Sequence, residues 1–310
     1  MKFLDYAIVG SGLCSFIASL KVKESSVLTK LNYDTSDVTK ILNFYEYNNP
    51  GGNTNIWGAY INLERFKKFL ILNKKFRNFY EQNNIFTTSR ISKNSHFKKI
   101  GYIQNKKTKK ILRLDKSFFK NSINFDLKKI TINKNYVDLI SNKKTFRAKK
   151  VNLCIGNIGL IKVLKQSNLI FSHDIITYED SSIKYVLNFN LNNKKFYYIP
   201  MSIKQIIEKL IYKSNFYNIN ENKNNLIVQG VSKEKKIFKF SIEKLLNAKK
   251  SFHRGLTTNH ISNLRINNVP IEKFLRKKSK RVIINNSGTI SKYIPGSISQ
   301  DLIFNTFVKS

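Results

Sequence analysis

The residues best placed to do chemistry open the chain. Gly10-Ser11-Gly12-Leu13-Cys14-Ser15 follows the apolar run Tyr6-Ala7-Ile8-Val9 and precedes Phe16-Ile17-Ala18-Ser19-Leu20. Glycine at 10 permits a tight turn, and glycine at 12 lets a pyrophosphate approach the main chain. A helix starting there aims its free N–H groups at the anion. Ser15 holds the third small position, where a helix packs closely on a strand. The next strand, Ser26-Val27-Leu28-Thr29, ends at Lys30. An acidic residue that binds an adenosine ribose is expected about twenty residues after the first glycine. Lys30 is not acidic, and Asp34 comes later. Either other groups hold the ribose, or nucleotide affinity is reduced.

Histidine is the other residue type to weigh, because its pKa near neutrality lets one base accept and release a proton in each turnover. His253 stands in Phe252-His253-Arg254-Gly255-Leu256-Thr257, and taken alone it reads as a surface residue at a helix end next to Arg254. His260 follows Thr258-Asn259 in a cap or loop, and His173 precedes Asp174 as a site residue or a turn closure. Cys14 and Cys154 lie in or beside apolar strands without metal-ligand spacing. Both read as small core residues in a reducing compartment, and no metal site is expected.

These residues need elements to position them. After the opening βαβ unit, Asn48 to Gly58 is too rich in glycine and turn residues for a helix and carries the sole tryptophan, Trp57. Residues 60–90 have Phe66, Phe69, Leu70, Phe76 and Tyr80 near helical spacing. From about 98 to 150, short alternating segments predict a β-meander. Val151-Asn152-Leu153-Cys154-Ile155-Gly156 repeats the opening logic, a buried strand ending in glycine, with a helix through Leu160 to Leu164. Residues 183–242 alternate strands with one amphipathic helix near 202–212, Tyr197 and Tyr198 falling among them as core aromatics. Arg281-Val282-Ile283-Ile284 is a strand, followed by a Gly/Pro turn and a helix from about Ser299.

With 310 residues and 41% hydrophobic content, the chain can build one large domain or two interlocked ones. Its net charge of +37 invites a nucleic-acid reading. Lysine, however, is spread along nearly the whole chain beside an excess of Asn, Ile, Tyr and Phe, the mark of an AT-rich coding sequence. The expectation is therefore nonspecific adhesion to anionic surfaces and no specific nucleic-acid partner. No apolar run approaches a membrane span, and no basic leader precedes a cleavable apolar segment. A cytoplasmic protein is expected.

Four segments, taken in order, resemble the glucose–methanol–choline family of FAD-dependent oxidoreductases. They are the loop Gly10 to Ser15, the stretch Gly51-Gly52-Asn53-Thr54-Asn55-Ile56-Trp57-Gly58, the run Val151 to Leu164 with the later His173-Asp174 pair, and Phe252 to Thr257. Val282 to Gly288 and Ile294-Pro295-Gly296-Ser297 are similar to the family's last strand and the turn that caps the flavin. The resemblance covers about a quarter of the chain, which is shorter than usual family members.

The resemblance implies an α/β fold: a Rossmann-like FAD-binding domain with an inserted, reduced α+β substrate domain. Residues 1–60, 125–175 and 250–310 would form the first and 61–124 with 176–249 the second. It implies FAD held by Gly10, Ser11, Gly12, Ser15, Lys30, Gly52, Asn53, Asn55, Trp57, Gly156, Ser287 and Gly288. It implies a small alcohol or carbohydrate substrate whose hydroxyl proton passes to His253. Where the family places a second His or Asn, this chain has Ser299, or Gln300 by a one-residue shift, to orient the substrate oxygen. Two alternatives stand beside this: a flavoprotein fold that has lost catalytic groups and serves in binding or assembly, and a basic nucleic-acid-binding protein.

Overall fold

The computed structural model describes residues 1–31, 38–42, 44–47, 49–55, 60–83, 86–90, 100–181, 183–190, 216–222, 225–231, 235–252, 260–291 and 298–310. The fold is α/β and Rossmann-like, organised on a seven-stranded sheet. Its continuous path runs β8 (Ile123–Asn124), β2 (Ser26–Thr29), β1 (Lys2–Val9), β11 (Thr145–Leu153), β10 (Val137–Ile140) and β9 (Lys129–Ile132). The seventh strand, β20 (Val282–Ile284), also pairs with β11. Strands β2, β1, β11 and β20 are mutually parallel, and β8 extends the parallel set beyond β2.

The burial of β11 explains its two sets of partners. Its first half, Thr145 to Ala148, alternates buried and half-buried residues and pairs antiparallel with β10. Its second half, Val151 to Leu153, is continuously buried and lies between β1 and β20. Alternation marks a strand with one wet face, and a continuous run marks one covered on both faces. Asn152 interrupts that run with a polar side chain, and at 0% exposure it must be satisfied. Its Nδ2 donates to Ser310 Oγ at 2.9 Å, and its Oδ1 accepts from Asn285 Nδ2 at 3.0 Å.

Helix α1 (Leu13–Lys21) follows β1 and buries Leu13, Phe16, Ile17 and Ala18. Each large apolar side chain among them contributes about 1.5–3 kcal/mol on burial. Residues 60–90 are not one helix. Tyr60–Asn62 forms β5, which pairs with β7 (Ile100–Asn105), and β7 pairs in turn with β6 (Phe86–Arg90). Between β5 and β6 the chain makes α2 (Leu63–Leu72) and α3 (Lys74–Asn83). Asn73 breaks them apart, because its Oδ1 accepts the Phe76 N–H at 2.9 Å and so starts a new helix. The expected meander is present as β9-β10-β11, whereas β7 belongs to this separate small sheet.

Helix α4 (Asn157–Gln166) follows β11. Three further sheets complete the described strands. One holds β16 (Lys236–Ser241), β12 (Ile175–Ser181), β18 (His260–Ile266) and β19 (Val269–Pro270); another holds β13 (Ile183–Asn190), β15 (Asn225–Val231) and β14 (Phe216–Asn222). The third is β17 (Lys250–Phe252), β3 (Val38–Ile41) and β4 (Phe44–Tyr47). Helices α5 (Ile242–Asn247) and α6 (Ile271–Lys278) pack on the main core. The helix expected near 202–212, with Tyr197 and Tyr198, lies outside the described residues.

The last helix, α7 (Ile298–Lys309), begins one residue before its expected start. It buries Ile303, Phe304 and Phe307 against α1, α2 and α3. Its first turn is buried as well and carries polar side chains that are tied to neighbouring elements. Gln300 Oε1 accepts the Asn62 N–H at 3.0 Å, and Asp301 Oδ1 pairs with Arg65 Nη2 at 2.5 Å.

Candidate functional site

The site is built where strands β2, β1, β11 and β20 end together. Gly10 leaves β1 with its N–H donating to Leu28 O at 2.9 Å, while the Cys154 N–H donates to Val9 O at 2.8 Å. A Cβ on Gly10 would lie 2.6 Å from Cys154 O, and its φ of +126° disfavours any side chain. Glycine is therefore required here to thread the chain between two strand ends. Gly12 caps α1 in extended conformation without a side-chain cap, and a Cβ there would meet nothing within 4 Å. The space in front of this helix start is open. Ser15 is fully buried, and its Oγ donates to Gly10 O at 2.6 Å, which braces the turn. Ser11 is buried in the same turn.

A second helix start stands beside the first. Gly156 caps α4 without a side-chain cap, and a Cβ on it would also meet open space. Neither α1 nor α4 has an acidic residue in its first turn. Two uncapped helix N-termini therefore direct their partial positive charge to one edge of the sheet, the arrangement that favours a bound anion.

The exit of β20 closes the edge. Asn157 Nδ2 donates to Ser287 Oγ at 3.0 Å, and Asn157 Oδ1 accepts the Gly288 N–H at 3.1 Å. A Cβ on Gly288 would lie 2.6 Å from Asn157 Oδ1 and 2.9 Å from Leu264 Cβ, so this glycine allows close packing. Asn286 Nδ2 donates to Ile155 O at 3.2 Å. Asn157 and Asn286 escaped the sequence reading, although each adjoins a residue that it singled out.

Lys30, at the end of β2, lies 3.9 Å from the Asp126 carboxylate, which also pairs with Lys128 at 2.8 Å. An acidic residue from the segment after β8 thus stands beside the end of β2. The glycine-rich segment continues β4. Gly52 has a φ of +51° at the start of a 3-10 turn through Asn55, and Asn53 Oδ1 accepts the Tyr47 N–H at 3.0 Å. Trp57 and His253 lie outside the described residues, but the strands leading toward them are placed. Strand β3 pairs antiparallel with both β4 and β17. Strands β4 and β17 therefore run the same way, and Tyr47 and Phe252 leave this small sheet at the same end. One carries the chain into the glycine-rich turn and the other into His253.

Ser299 is 4% and Gln300 0% exposed. Gln300 holds β5 through its carbonyl, and its Nε2 has no hydrogen-bond partner among the described residues. His173 is largely exposed in a turn, 3.9 Å from Asp174, whose carboxylate accepts the Phe171 N–H at 2.8 Å and Asn267 Nδ2 at 2.8 Å. His173 therefore lies in an exposed turn that the Asp174 N–H closes on Phe171 O at 3.1 Å. His260 opens β18 opposite Ser181.

The Cys14 and Cys154 thiols face the same small apolar cluster with Ile8 and Ala18. Burial pushes Cys14 up to about 11 and Cys154 well above the ordinary thiol range. Thiolate chemistry is suppressed at both. Burial likewise pushes the Tyr6 phenol up to about 12 and raises the Glu46 carboxyl. Among the described residues there is no cluster of His, Cys, Asp and Glu fit to hold a metal, and no helix is long and apolar enough to cross a membrane.

No protein-family model and no curated protein matches the chain. Several solved structures resemble it at low identity. NikD, an unusual amino acid oxidase essential for nikkomycin biosynthesis, in its open form, is 10% identical over 98% of this chain and 94% of its own, with a TM-score of 0.43. The p-nitrophenol 4-monooxygenase PnpA from Pseudomonas putida DLL-E4 is 9% identical over 99% and 78%, with a TM-score of 0.40. A geranylgeranyl bacteriochlorophyll reductase-like protein from Thermoplasma acidophilum is 10% identical over 99% and 77%, with a TM-score of 0.41.

Proposed function

We propose that this chain is an FAD-dependent oxidoreductase, similar to the glucose–methanol–choline family, that oxidises the CH–OH group of a small alcohol or sugar-like substrate. The observation that carries the reading is the pair of uncapped helix starts at Gly12 and Gly156, flanking Gly10 where the parallel strands end. This cradle fits a dinucleotide pyrophosphate. In this assignment Gly10, Ser11, Gly12 and Ser15 hold the pyrophosphate. Asp126 beside Lys30 receives the adenosine ribose, in place of an acid at the end of β2. Gly156, Ser287 and Gly288 shape the sheet edge, and Gly52, Asn53, Asn55 and Trp57 border the flavin ring.

When bound, the flavin supplies the hydride acceptor. The chain's own residues bind, orient and move a proton. His253 takes the proton from the substrate hydroxyl; that Phe252, the residue before it in sequence, ends β17 at the same sheet end as Tyr47 supports that role. Gln300 offers its buried Nε2 donor to the substrate oxygen, with Ser299 beside it. Residues 61–124 and 176–249 contribute the substrate side in this reading.

A second reading, a flavoprotein fold retained for binding without turnover, is favoured by the engagement of Gln300 Oε1 with the backbone of β5. One experiment separates them. The purified protein, reconstituted with FAD, is presented anaerobically with a panel of polyols and sugars while the flavin absorbance is followed. Bleaching in wild type, lost in His253→Ala with the bound-flavin spectrum intact, is the expected result. Bound FAD that no alcohol reduces selects the second reading. A colourless protein that takes up no FAD overturns both.

A further inference from the structure

Helices α2 and α3 meet at the elbow around Asn73, and their inward faces are already committed. Phe66 and Phe76 are buried, with ring centroids 6.0 Å apart, and Phe69 stacks on Phe304 at 3.8 Å. Core packing therefore does not explain the outer end of α2, where Ile71 and Leu72 are each 73% exposed. Val308, on the last turn of α7, is 64% exposed. An open groove of about 440 Å³ runs between α2, α7 and residues 289–291, with Phe69, Leu72, Phe304 and Val308 giving its apolar wall, Arg65 and Lys68 on the α2 side, and Thr289, Ser291 and Asn305 adding polar lining.

The charges around this apolar end are of one sign. Lys67 and Lys68 precede it, Lys74, Lys75 and Arg77 follow it, and all five are exposed. The Arg65 guanidinium is held by Asp301, whereas Lys67, Lys68, Lys74, Lys75 and Arg77 stand exposed on the outside. An apolar tip ringed by lysines matches the boundary of an anionic bilayer, with headgroups outside and acyl carbon beneath.

We propose that the α2–α3 elbow, with the end of α7, is a peripheral membrane contact. Ile71, Leu72 and Val308 enter the acyl boundary of an anionic bilayer while Lys67, Lys68, Lys74 and Lys75 meet its headgroups. The net charge of +37 alone would adsorb the protein in any orientation. The elbow instead selects one orientation and a salt-resistant component.

The test uses the full chain and vesicles of phosphatidylglycerol and phosphatidylcholine. Leu72→Cys and Ile237→Cys are each labelled with an environment-sensitive fluorophore. Ile237, at 72% exposure on β16, is the control for an equally exposed apolar position elsewhere in the fold, and the buried Cys14 and Cys154 do not compete for label. A blue shift with a several-fold intensity rise at position 72, quenched by acyl-brominated lipid and absent at 237, supports the proposal. So does a tenfold or greater fall in vesicle co-sedimentation at about 0.3 M salt for the Ile71→Ser/Leu72→Ser double variant; should that variant lose thermal stability, the two labels decide. Equal shifts at both positions, or none, overturn it in favour of diffuse adsorption or no binding. A shift at 72 that grows with protein concentration without lipid assigns the elbow to a second copy of the chain and also overturns it.

Discussion

A methyl group at position 10 has nowhere to go, since it would sit 2.6 Å from Cys154 O on a backbone whose φ is +126°. At position 12 it would stand in open space. The two glycines of one loop thus do different things, and their variants separate folding from binding. Gly10→Ala should cost about 1–3 kcal/mol in backbone strain alone, read as a lowered melting temperature. Gly12→Ala should melt like wild type yet lose FAD retention, because the added carbon occupies the approach of the pyrophosphate. Unchanged flavin affinity in Gly12→Ala would remove the loop from the assignment. Cys14, two residues on, carries a pH prediction. Its folded pKa of about 11 lies above the unfolded thiol value, so the stability linked to it is fully present below about pH 8.5 and lost as pH rises through about 11. Urea unfolding at pH 8 and pH 10.5 should show wild type losing about 2 kcal/mol more than Cys14→Ala. Equal losses in the two proteins would show that the thiol is not desolvated in the native state.

At the scale of elements, the cradle depends on a tie between pieces distant in sequence. Asn157 reaches Ser287 and Gly288 across 130 and 131 residues, joining the start of α4 to the exit of β20. Replacing Asn157 by Ala leaves the buried Gly288 N–H without its acceptor, at a cost of about 1–3 kcal/mol. The expected outcome is a lowered denaturant midpoint with an unchanged m-value, checked by equilibrium unfolding; a midpoint equal to wild type would mean that another acceptor replaces Asn157. Such a tie could not be read from sequence, whereas its two ends could. Glycine and apolar run length are local signals, so the opening turn and the start of α7 were legible within a residue or so, whereas the strand expected to run into Gly156 ends at Leu153, three residues earlier, and Gly156 caps the next helix. Partnership between remote segments carries no local signal. Asp126 comes beside Lys30 only because β8 extends the sheet past β2. The common exit of Tyr47 and Phe252 follows from β3 lying between β4 and β17, a pairing that spans most of the chain. The break at Asn73 was missed for a different reason, because aromatic spacing runs through it and one side-chain oxygen restarts the helix.

Over the whole molecule, 56 Lys and Arg face 19 Asp and Glu, so most cations have no acidic partner to meet. Pairs such as Lys149 with Asp5 and Lys128 with Asp126 are largely solvated and contribute about 0–1 kcal/mol each. Folding gathers this excess onto one compact surface, whereas the unfolded chain spreads it out. Self-repulsion must therefore weigh against the native state at low ionic strength. Screening shortens its reach from about 30 Å at 0.01 M salt to about 10 Å at 0.1 M. The melting temperature should accordingly rise by several degrees in sodium chloride, with most of the gain complete near 0.1–0.2 M because the repulsive pairs are spaced within the longer Debye length. Thermal denaturation across that series is the check, and the shape of the response matters more than its size. A gain that grows linearly to 1 M would reflect exclusion of salt from apolar surface rather than screening. A flat response would mean that the lysines are spaced too widely to oppose one another. In either case the composition would be energetically silent in the fold, leaving the charge to act only where lysines crowd an apolar surface, as they do around Ile71 and Leu72.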